Sequence, residues 1–441
     1  MKKLYILSIL LIFASSCEVL DVEPQDAIAA DVAINDKAGV EKGILGAYNG
    51  LQSLSYYGRT YSIFADLAAD NLIHPPNATA ASYNQVDNNA ILPENESIDG
   101  IWSSIYDALN VTNNVIAKIP DVSDMSESEK NKALGELYFL RALHHFNLMN
   151  YFGAIPLKTT PTVGTNGVNV PRDPVDAVYD KIISDLQFAS QHLPANTSSK
   201  IRASKYAAQA LLARVYLYRK DYNNAVTQAS SVISAGYALM SNYADIFSNE
   251  GVAESIFEVD FTDLDRNRIA EYNFPLSLNG RREVAPSTSL LNAYTSGDNR
   301  YTASVGVSGN DSYARKYDDL AMGADNFIVI RLAEMYLIRA EATAQLGGSS
   351  QQILADINEI RARAGLTLFT STITTEQLTE IENQRQLEFA FEGHRWFDLV
   401  RTGRATTVLP TVTNIFKTLF PIPLSELQSN TNPGMTQNPG Y

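Results

Sequence analysis

Helical periodicity constrains the fold of this chain more than any other feature of its sequence. In ten segments, apolar residues recur every three or four positions, which is the spacing that places them on one face of an α-helix. A polar, turn-rich stretch from Gly236 to Asn326 separates the first six segments from the last four. The pattern therefore predicts a mainly α-helical protein. The predicted helices are Gly39–Leu54, Ile98–Ile119, Ser126–Tyr151, Pro174–Leu193, Ser204–Lys220, Tyr222–Ala235, Ile328–Leu346, Ser350–Ala364, Thr375–Glu392 and Arg395–Arg401.

The predicted helices come in pairs, and the first helix of three pairs contains a related core. These cores are Leu140-Arg141-Ala142, Leu212-Ala213-Arg214 and Ile338-Arg339-Ala340. The second core, with the turn and the helix that follow it, resembles a tetratricopeptide repeat. A small Ala lets the two helices of such a hairpin pack closely, and stacked hairpins bury surface that one hairpin leaves exposed. A generic helical bundle is the alternative interpretation.

This organisation predicts a single domain over residues 39–441. Helix pairs are expected over about 126–235 and 328–404, with a loop-rich insert over about 236–327 between them. The end of the chain is rich in Pro and Asn and is expected to be coil.

The N-terminus has the features of an export signal. Two lysines precede an apolar run from Leu4 to Ala14, which is shorter than the roughly 20 residues that cross a bilayer. Two serines then stand directly before Cys17, the only cysteine of the chain, as in the lipobox of bacterial lipoproteins. We therefore expect a signal peptide at 1–16, a lipid on Cys17 and a lipidated N-terminus and tether over 17–38. An ordinary cleavage site beside an incidental cysteine is the alternative.

The charge balance argues against nucleic acid as a partner. The chain has 34 Lys and Arg against 49 Asp and Glu, a formal net charge of −15. A broad phosphate-binding face is therefore not expected. An acidic protein is also not drawn to an anionic membrane surface, so lipid rather than charge is expected to hold it there.

The sequence contains no common catalytic or nucleotide-binding motif. GxSxG, HExxH, GxxxxGK and GxGxxG after a strand are all absent, and we predict no cofactor. His144 and His145 are adjacent, so on a helix they point about 100° apart, which favours core or surface histidines over one metal site. The alternating acids from Asp263 begin like a calcium loop, but Arg268 replaces the turn glycine.

The segment Glu388–Arg401 is the richest in charged and aromatic residues. Glu392, His394 and Asp398 within it resemble an active site. Gly393 interrupts two helical stretches, however, and the aromatic residues form an apolar stripe. We therefore interpret the charges as ion pairs and helix caps in a core segment.

Six segments stand out together along the chain: Trp102–Asn114, Tyr151–Pro156, Arg331–Ala342, Phe391–Leu399, Phe420–Pro423 and Gln437–Tyr441. With the lipobox and the helix pairs, they resemble the SusD/RagB family of outer-membrane lipoproteins of the Bacteroidetes. The match extends over the whole chain.

This resemblance implies a binding protein and not an enzyme. It implies a mainly α, tetratricopeptide-like helical scaffold with an irregular, loop-rich ligand face. Such a protein would be lipid-anchored at the outer membrane, facing the cell exterior. It would capture oligosaccharide nutrients and deliver them to a SusC-like TonB-dependent transporter.

Ligand specificity is expected to lie in the loops, because the segments that carry the resemblance are scaffold. Sugar recognition needs aromatic faces together with polar groups that bind hydroxyls. Both tryptophans fall in scaffold segments, so tyrosine is expected to supply the faces. One candidate set is Tyr56, Tyr57, Tyr61 and Tyr83 with Asn77, Asn84, Asp87, Asn88 and Asn89, and the other is Tyr272, Arg281, Arg282, Tyr294, Tyr301, Tyr313 and Arg315.

Within these sets, Tyr83 is the first choice as a stacking ring, because the residues around it read as a polar, non-periodic loop. The predicted ligand-binding residues are Tyr56, Tyr57, Tyr83, Asn84, Asn88, Tyr272, Arg281 and Arg315. A peptide-binding member of the family is the alternative, since a peptide site offers hydrogen-bond partners and shallow apolar pockets. A surface glycoside hydrolase is a further alternative, because its two carboxylates need no local motif.

Overall fold

The computed structural model of the chain describes residues 33–164, 167–195 and 199–441. The predicted signal peptide, the lipid on Cys17 and most of the predicted tether lie outside these described residues. Within the described ranges, no helix is both long enough and apolar enough to pass through a bilayer.

The described chain forms seventeen α-helices and six short strands. In chain order they are α1 (Lys37–Asn49), α2 (Thr60–Leu67), β1 (Leu72–Ile73), α3 (Ala81–Asp87), α4 (Glu96–Lys118), α5 (Glu127–Phe152), α6 (Val175–His192), α7 (Lys205–Arg219), α8 (Tyr222–Ile233), β2 (Ser255–Val259), α9 (Ile269–Asn273), β3 (Ala285–Pro286), α10 (Thr288–Ala293), α11 (Asn299–Ser304), β4 (Val305–Ser308), β5 (Asp311–Ala314), β6 (Phe327–Arg331), α12 (Leu332–Gln345), α13 (Ser350–Arg363), α14 (Thr374–Glu388), α15 (Arg395–Arg401), α16 (Ala405–Val408) and α17 (Leu424–Ser429).

The long helices stack in sequence, each on the one before it. Thus α4 packs on α5, α5 on α6, α6 on α7 and α7 on α8, and the stack continues across the insert from α8 to α12 and α13. Local sequence sets where these helices begin. At the start of α5, for example, Ser126 and Glu129 form a capping box that satisfies two free backbone N–H groups.

The arginines of the three related cores hold this stack together. Arg141 on α5 binds Asp185 on α6 through two hydrogen bonds of 2.8 Å. Arg339 on α12 binds Asp356 on α13 in the same way, at 2.9 and 2.6 Å. The third arginine, on α7, pairs instead with the carboxylate of Glu334 at the start of α12. Bidentate pairs of this kind fix the orientation of a helix as well as its contact.

One predicted helix is wrong at its start. The sequence pattern predicts a helix over Ile328–Leu346, but Phe327–Arg331 is the strand β6, which pairs antiparallel with β2. All five of its residues are buried. A short, fully buried run of β-branched residues has no helical or strand period, and its stiff side chains favour the strand. The sequence pattern therefore wrongly predicted these residues as the start of the helix that follows, α12.

The C-terminal segment has two short helices, α16 and α17, where coil was expected. It is fastened to the scaffold by backbone and amide hydrogen bonds. The N–H of Phe420 donates to the carbonyl of Tyr151 at 2.7 Å, and Asn438 Nδ2 donates to the carbonyls of Phe152 and Phe420 at 3.0 and 2.7 Å. The end of the chain thus completes the core around the C-terminus of α5.

A buried ion cluster lies where β2, β6, the insert and α14 meet. Arg331 at its centre contacts Glu254 at 2.8 Å, Glu388 at 2.5 Å and Glu392 at 2.8 Å. The side chains of the cluster are at most 4% exposed. Its members are Glu254, Asp298, Arg300, Lys316, Arg331, Arg363, Glu388 and Glu392.

These ion pairs explain the charged segment Glu388–Arg401. Burial by itself raises the pKa of the Glu388 carboxyl, but Arg363, Arg331 and Arg300 hold that pKa well below its usual value. Asp398 likewise binds Arg385 and Arg401, both at 2.8 Å. The prediction that these charges form ion pairs in a core segment is therefore confirmed, and the carboxylates of Glu392 and Asp398 are already engaged by cations.

Candidate functional site

Two loop regions that are far apart in the sequence meet on one face of the molecule. Strand β1 pairs antiparallel with β3, so that Ile73 lies opposite Ala285. Beyond the strands, the Glu283 carboxylate accepts hydrogen bonds from the N–H groups of Thr79 and Ala80, each at 3.0 Å. The exposed surface formed by Arg59 with residues 74–89, 264–283 and 311–318 is called the loop face below.

Three of the predicted ligand-contact tyrosines, Tyr56, Tyr57 and Tyr61, are core residues. They are at most 5% exposed, and Tyr56 and Tyr57 stack on each other with their centroids 4.6 Å apart. Asn147 on α5 donates to the hydroxyls of Tyr56 and Tyr57 at 2.7 and 2.8 Å and accepts from Tyr61 at 2.9 Å. Because one buried amide satisfies all three hydroxyls, the rings can be buried completely. The prediction that they offer faces to a ligand is wrong for this conformation.

Tyr83 is also misplaced by the sequence prediction. It lies on helix α3 and not in a loop, and it is 2% exposed. Its ring packs edge-on against Phe64, with centroids 4.9 Å apart, and lies 5.5 Å from the ring of Tyr272. Helix α3 is only seven residues long, too short to show an apolar period. Tyr83 therefore links the two candidate sets as a packing residue, and its face is not free for a sugar.

Tyr272 stands beneath two arginines of the loop face. The guanidinium of Arg59 lies 4.2 Å from the ring centroid and that of Arg281 lies 4.7 Å from it. The ring is 7% exposed. The arginines thus cover the aromatic surface and present their own planar groups, which the π-system holds in place.

The ion pairs between the arginines of this patch and the neighbouring acids are long. Glu271 lies 3.6 Å from Arg268 and 3.9 Å from Arg281, and Glu283 lies 3.5 Å from Arg281. The side chains of Arg268 and Arg281 are 49% and 47% exposed. Their charges are therefore available to a molecule that binds from solvent.

The other predicted residues divide between exposed and packed positions. Asn84 on α3 and Asn88 directly after it are exposed, and Arg315 is 44% exposed with Asp318 at 3.5 Å. Tyr294 is buried and donates to the carbonyl of Leu387 at 3.3 Å. Tyr313 is half-buried with its ring 4.5 Å from that of Phe274. In the loop face the predicted residues that remain accessible are thus mainly asparagines and arginines.

A groove of about 560 Å³ adjoins the loop face, a size suited to a small ligand. Arg266 and Arg268 lie on one side of it and helix α4 on the other, with Leu264 at its rim 88% exposed. Arg268 therefore borders both the groove and the patch around Tyr272.

Sequence reasoning missed Arg59, Arg268 and Glu271. Arg59 directly follows the buried Tyr-Tyr-Gly run. Arg268 was considered only because it stands where a calcium loop has its turn glycine. No group of residues in the described ranges is arranged to hold a metal ion. The local signal available for Arg268 was its position beside Arg266, close in sequence to the candidate Tyr272.

Comparison with known proteins identifies the family. Residues 18–217 match a family model described as starch-binding and associating with the outer membrane, and residues 309–415 match a model of the SusD family. The chain is 25% identical to SusD-like protein P2 of Formosa agariphila over 98% of each chain. It is 26% identical to the starch-binding protein SusD of Bacteroides thetaiotaomicron, over 72% of this chain and 74% of that one.

A solved structure of a laminarin-binding SusD-like protein is 28% identical to this chain. It superposes with a TM-score of 0.81 over 92% of this chain and 100% of that one. The prediction of a mainly α, tetratricopeptide-like scaffold is confirmed by this likeness. The matches to both halves of the sequence and the shared fold show that this chain belongs to the SusD/RagB family.

Proposed function

We propose that this protein is a surface lipoprotein that captures oligosaccharides at the outer membrane and delivers them to a SusC-like TonB-dependent transporter. The observation that carries the proposal is the family match, which covers residues 18–217 and 309–415. The matched proteins whose names state a ligand bind starch or laminarin. Both are glucose polymers, so a glycan is favoured over the peptide alternative.

The geometry of the loop face supports a binding role. Exposed amide and guanidinium groups adjoin a groove, and such groups bind the hydroxyl and acidic groups of saccharides. The densest carboxylate cluster of the described chain, by contrast, is buried and paired with cations. A glycosidase uses a pair of accessible carboxylates that face one cleft. This cluster does not provide such a pair.

Delivery to a transporter is the part of the proposal that the predicted lipid tether supports. A protein anchored by lipid at one surface is held at high effective concentration toward a barrel in the same membrane. Ligand that contacts both proteins favours the closed complex, because only differential affinity shifts an open–closed equilibrium.

The two parts of this proposal are tested together on the full-length protein. We expect at least one oligosaccharide of a broad panel to bind the detergent-solubilised protein in calorimetry. A tagged form purified from the native outer membrane should bring down a TonB-dependent transporter in near-equal amount. The absence of binding across the panel would contradict glycan capture, and recovery of the lipoprotein alone, with and without ligand, would contradict delivery. New reducing ends during incubation would favour the hydrolase alternative.

A further inference from the structure

Four arginines of the loop face, Arg59, Arg268, Arg281 and Arg315, are paired less closely with carboxylates than the other ion-paired arginines of the described chain. Arg268, Arg281 and Arg315 have their nearest carboxylates at 3.5 to 3.6 Å. Arg59 makes one side-chain hydrogen bond, to Thr60 at 3.2 Å, and no ion pair within the described ranges. Every other arginine that has an ion pair in the described part of the chain has a carboxylate oxygen at 3.2 Å or closer.

Only two carboxylates, those of Glu283 and Glu271, have a recorded ion pair with Arg59, Arg268 or Arg281 in the described part of the chain. Both Glu283 oxygens already accept hydrogen bonds, one from Thr79 Oγ1 at 3.1 Å and the other from two backbone N–H groups. Glu271 is the remaining acid, and Arg268 and Arg281 share it. Three guanidinium groups therefore lie in this patch beside two carboxylates, which leaves an excess of positive charge.

The shape of the patch also favours an anion over a neutral sugar face. A neutral sugar stacks its C–H face on an aromatic ring, but Arg59 and Arg281 lie over the ring of Tyr272. A guanidinium that lies over a ring still offers N–H donors at its edge, in the fork geometry that matches carboxylate and other oxyanions. In a chain of net charge −15, such an exposed cationic patch is a local exception.

We propose that the loop face selects glycans that carry acidic groups, uronate carboxylates or sulfate esters, with Arg59, Arg268 and Arg281 as the specificity-determining residues. This inference rests on the proposed glycan-binding function and narrows its ligand class. Carboxylate and sulfate share the chemistry that the patch recognises, namely pairs of negatively charged oxygens that accept paired N–H donors.

Binding measurements on the full-length protein in mild detergent test the inference. The probes are an oligogalacturonate, a sulfated carrageenan oligosaccharide without uronate, and the neutral oligomers of laminarin and starch. At least one acidic probe should bind about tenfold or more tightly than either neutral one, and its affinity should fall as salt is raised. Binding of the oligogalacturonate would indicate that the patch recognises uronate carboxylates. Binding of the carrageenan oligosaccharide would indicate that it recognises sulfate esters.

Variants identify the groups responsible. Arg281→Gln is expected to weaken binding of the acidic probe about tenfold, because one charge-assisted hydrogen-bond donor is lost. Arg281→Lys should lose less affinity than Arg281→Gln, since lysine keeps the positive charge but not the paired N–H donors of a guanidinium. Arg404→Gln is the matched control, because Arg404 is similarly exposed at 51% and lies beyond α15 in another part of the fold. It should leave affinity unchanged, and melting curves confirm that each variant is folded.

The possible failures are distinguishable. Tight binding of a neutral oligomer that is unaffected by Arg281→Gln would overturn this inference and leave the proposed function standing. If no probe of either kind binds, the proposed function itself fails. If inorganic sulfate binds as tightly as the sulfated oligosaccharide, the patch is a site for a free anion and the glycan class is wrong.

Discussion

At the scale of single residues, His144 and His145 show how burial controls a titratable group. Both are fully buried on α5. Burial, followed by the neighbouring charge of His145, lowers the pKa of His144 to about 3. Burial, then Arg141 and Lys181, lowers the pKa of His145 to about 3. The folded protein therefore keeps both imidazoles neutral where an exposed histidine is charged.

These pKa values predict a loss of stability in acid. Between pH 6.5 and about 3 the unfolded chain binds protons that the folded chain does not. The free energy of unfolding is therefore largest above pH 6.5 and falls as the pH falls, by up to about 1.4 kcal/mol per pH unit for each histidine. His145→Met should remove part of this dependence.

Urea unfolding at a series of pH values measures the effect. The slope of unfolding free energy against pH should be smaller for His145→Met than for the parent protein. His192→Gln, at an exposed position at the end of α6, is the control for changing a histidine. Identical slopes for the parent and His145→Met would contradict the prediction.

Residue type alone could not assign the tyrosines. Tyr is amphipathic, so the same side chain suits a binding surface or a core in which its hydroxyl is satisfied. What decides the matter for Tyr56, Tyr57 and Tyr61 is Asn147, which is some 90 positions away in the chain. The prediction that His144 and His145 are not a shared metal site needed only their spacing, and both prove to be core residues.

At the scale of elements, Gly393 sets the turn between α14 and α15. Its φ is +79°, and a Cβ placed there would lie 3.2 Å from the Cα of Ser62 on α2. Its N–H donates to Asp66 at 3.0 Å. The glycine thus allows the turn to approach α2 closely enough for this hydrogen bond.

Replacing this glycine should destabilise the fold. We predict that Gly393→Ala lowers the free energy of unfolding by roughly 2–4 kcal/mol, because a left-handed backbone is combined with a close backbone contact. Gly403→Ala is the control, since Gly403 has φ of +70° but open space around its Cβ. Gly403→Ala should lower the free energy of unfolding only by the cost of a left-handed backbone at alanine, about 1 kcal/mol. Equal losses in thermal or chemical unfolding would show that the contact with Ser62 does not matter.

Element length explains which parts of the fold the sequence could predict. The ends of α4 to α8 and of α13 lie within about two residues of the predicted ends, because several turns of helix give a clear period. Helices α2 and α3 were missed, since eight and seven residues give each only about two turns in which a period could appear. Strand β6 was assigned to the helix that follows it, because a buried run carries no period.

At the scale of the whole molecule, attachment to the membrane depends on Cys17. We predict that Cys17→Ala releases the protein into the soluble fraction, because an acyl chain supplies about 0.8 kcal/mol per buried methylene and nothing else in the predicted scheme binds lipid. Cell fractionation followed by a high-salt wash measures this, with the parent protein as the reference. Retention of the variant in the washed membranes would contradict the lipid anchor.

The scaffold could be recognised from the sequence, but the arrangement of the loop face could not. Segments such as Tyr151–Pro156 and Phe391–Leu399 pack in the scaffold, so they identify the family whatever the ligand. The loop face depends on Arg59 and Arg281 meeting over Tyr272, although Arg59 is more than two hundred positions from either. Only the folded chain brings these residues together, and a single sequence carries no local signal of the meeting.

The buried ion cluster affects when this half of the molecule can fold during synthesis. Synthesis proceeds from the N-terminus, so Lys316 and Arg331 exist well before Glu392, which pairs with both, and before Glu388, which pairs with Arg331. An unpaired charge is costly to bury, and the nascent insert therefore gains little by closing early. Its folding waits for α14, and a ribosome-bound chain that stops short of Glu388 should leave this half of the molecule open to proteases and chaperones.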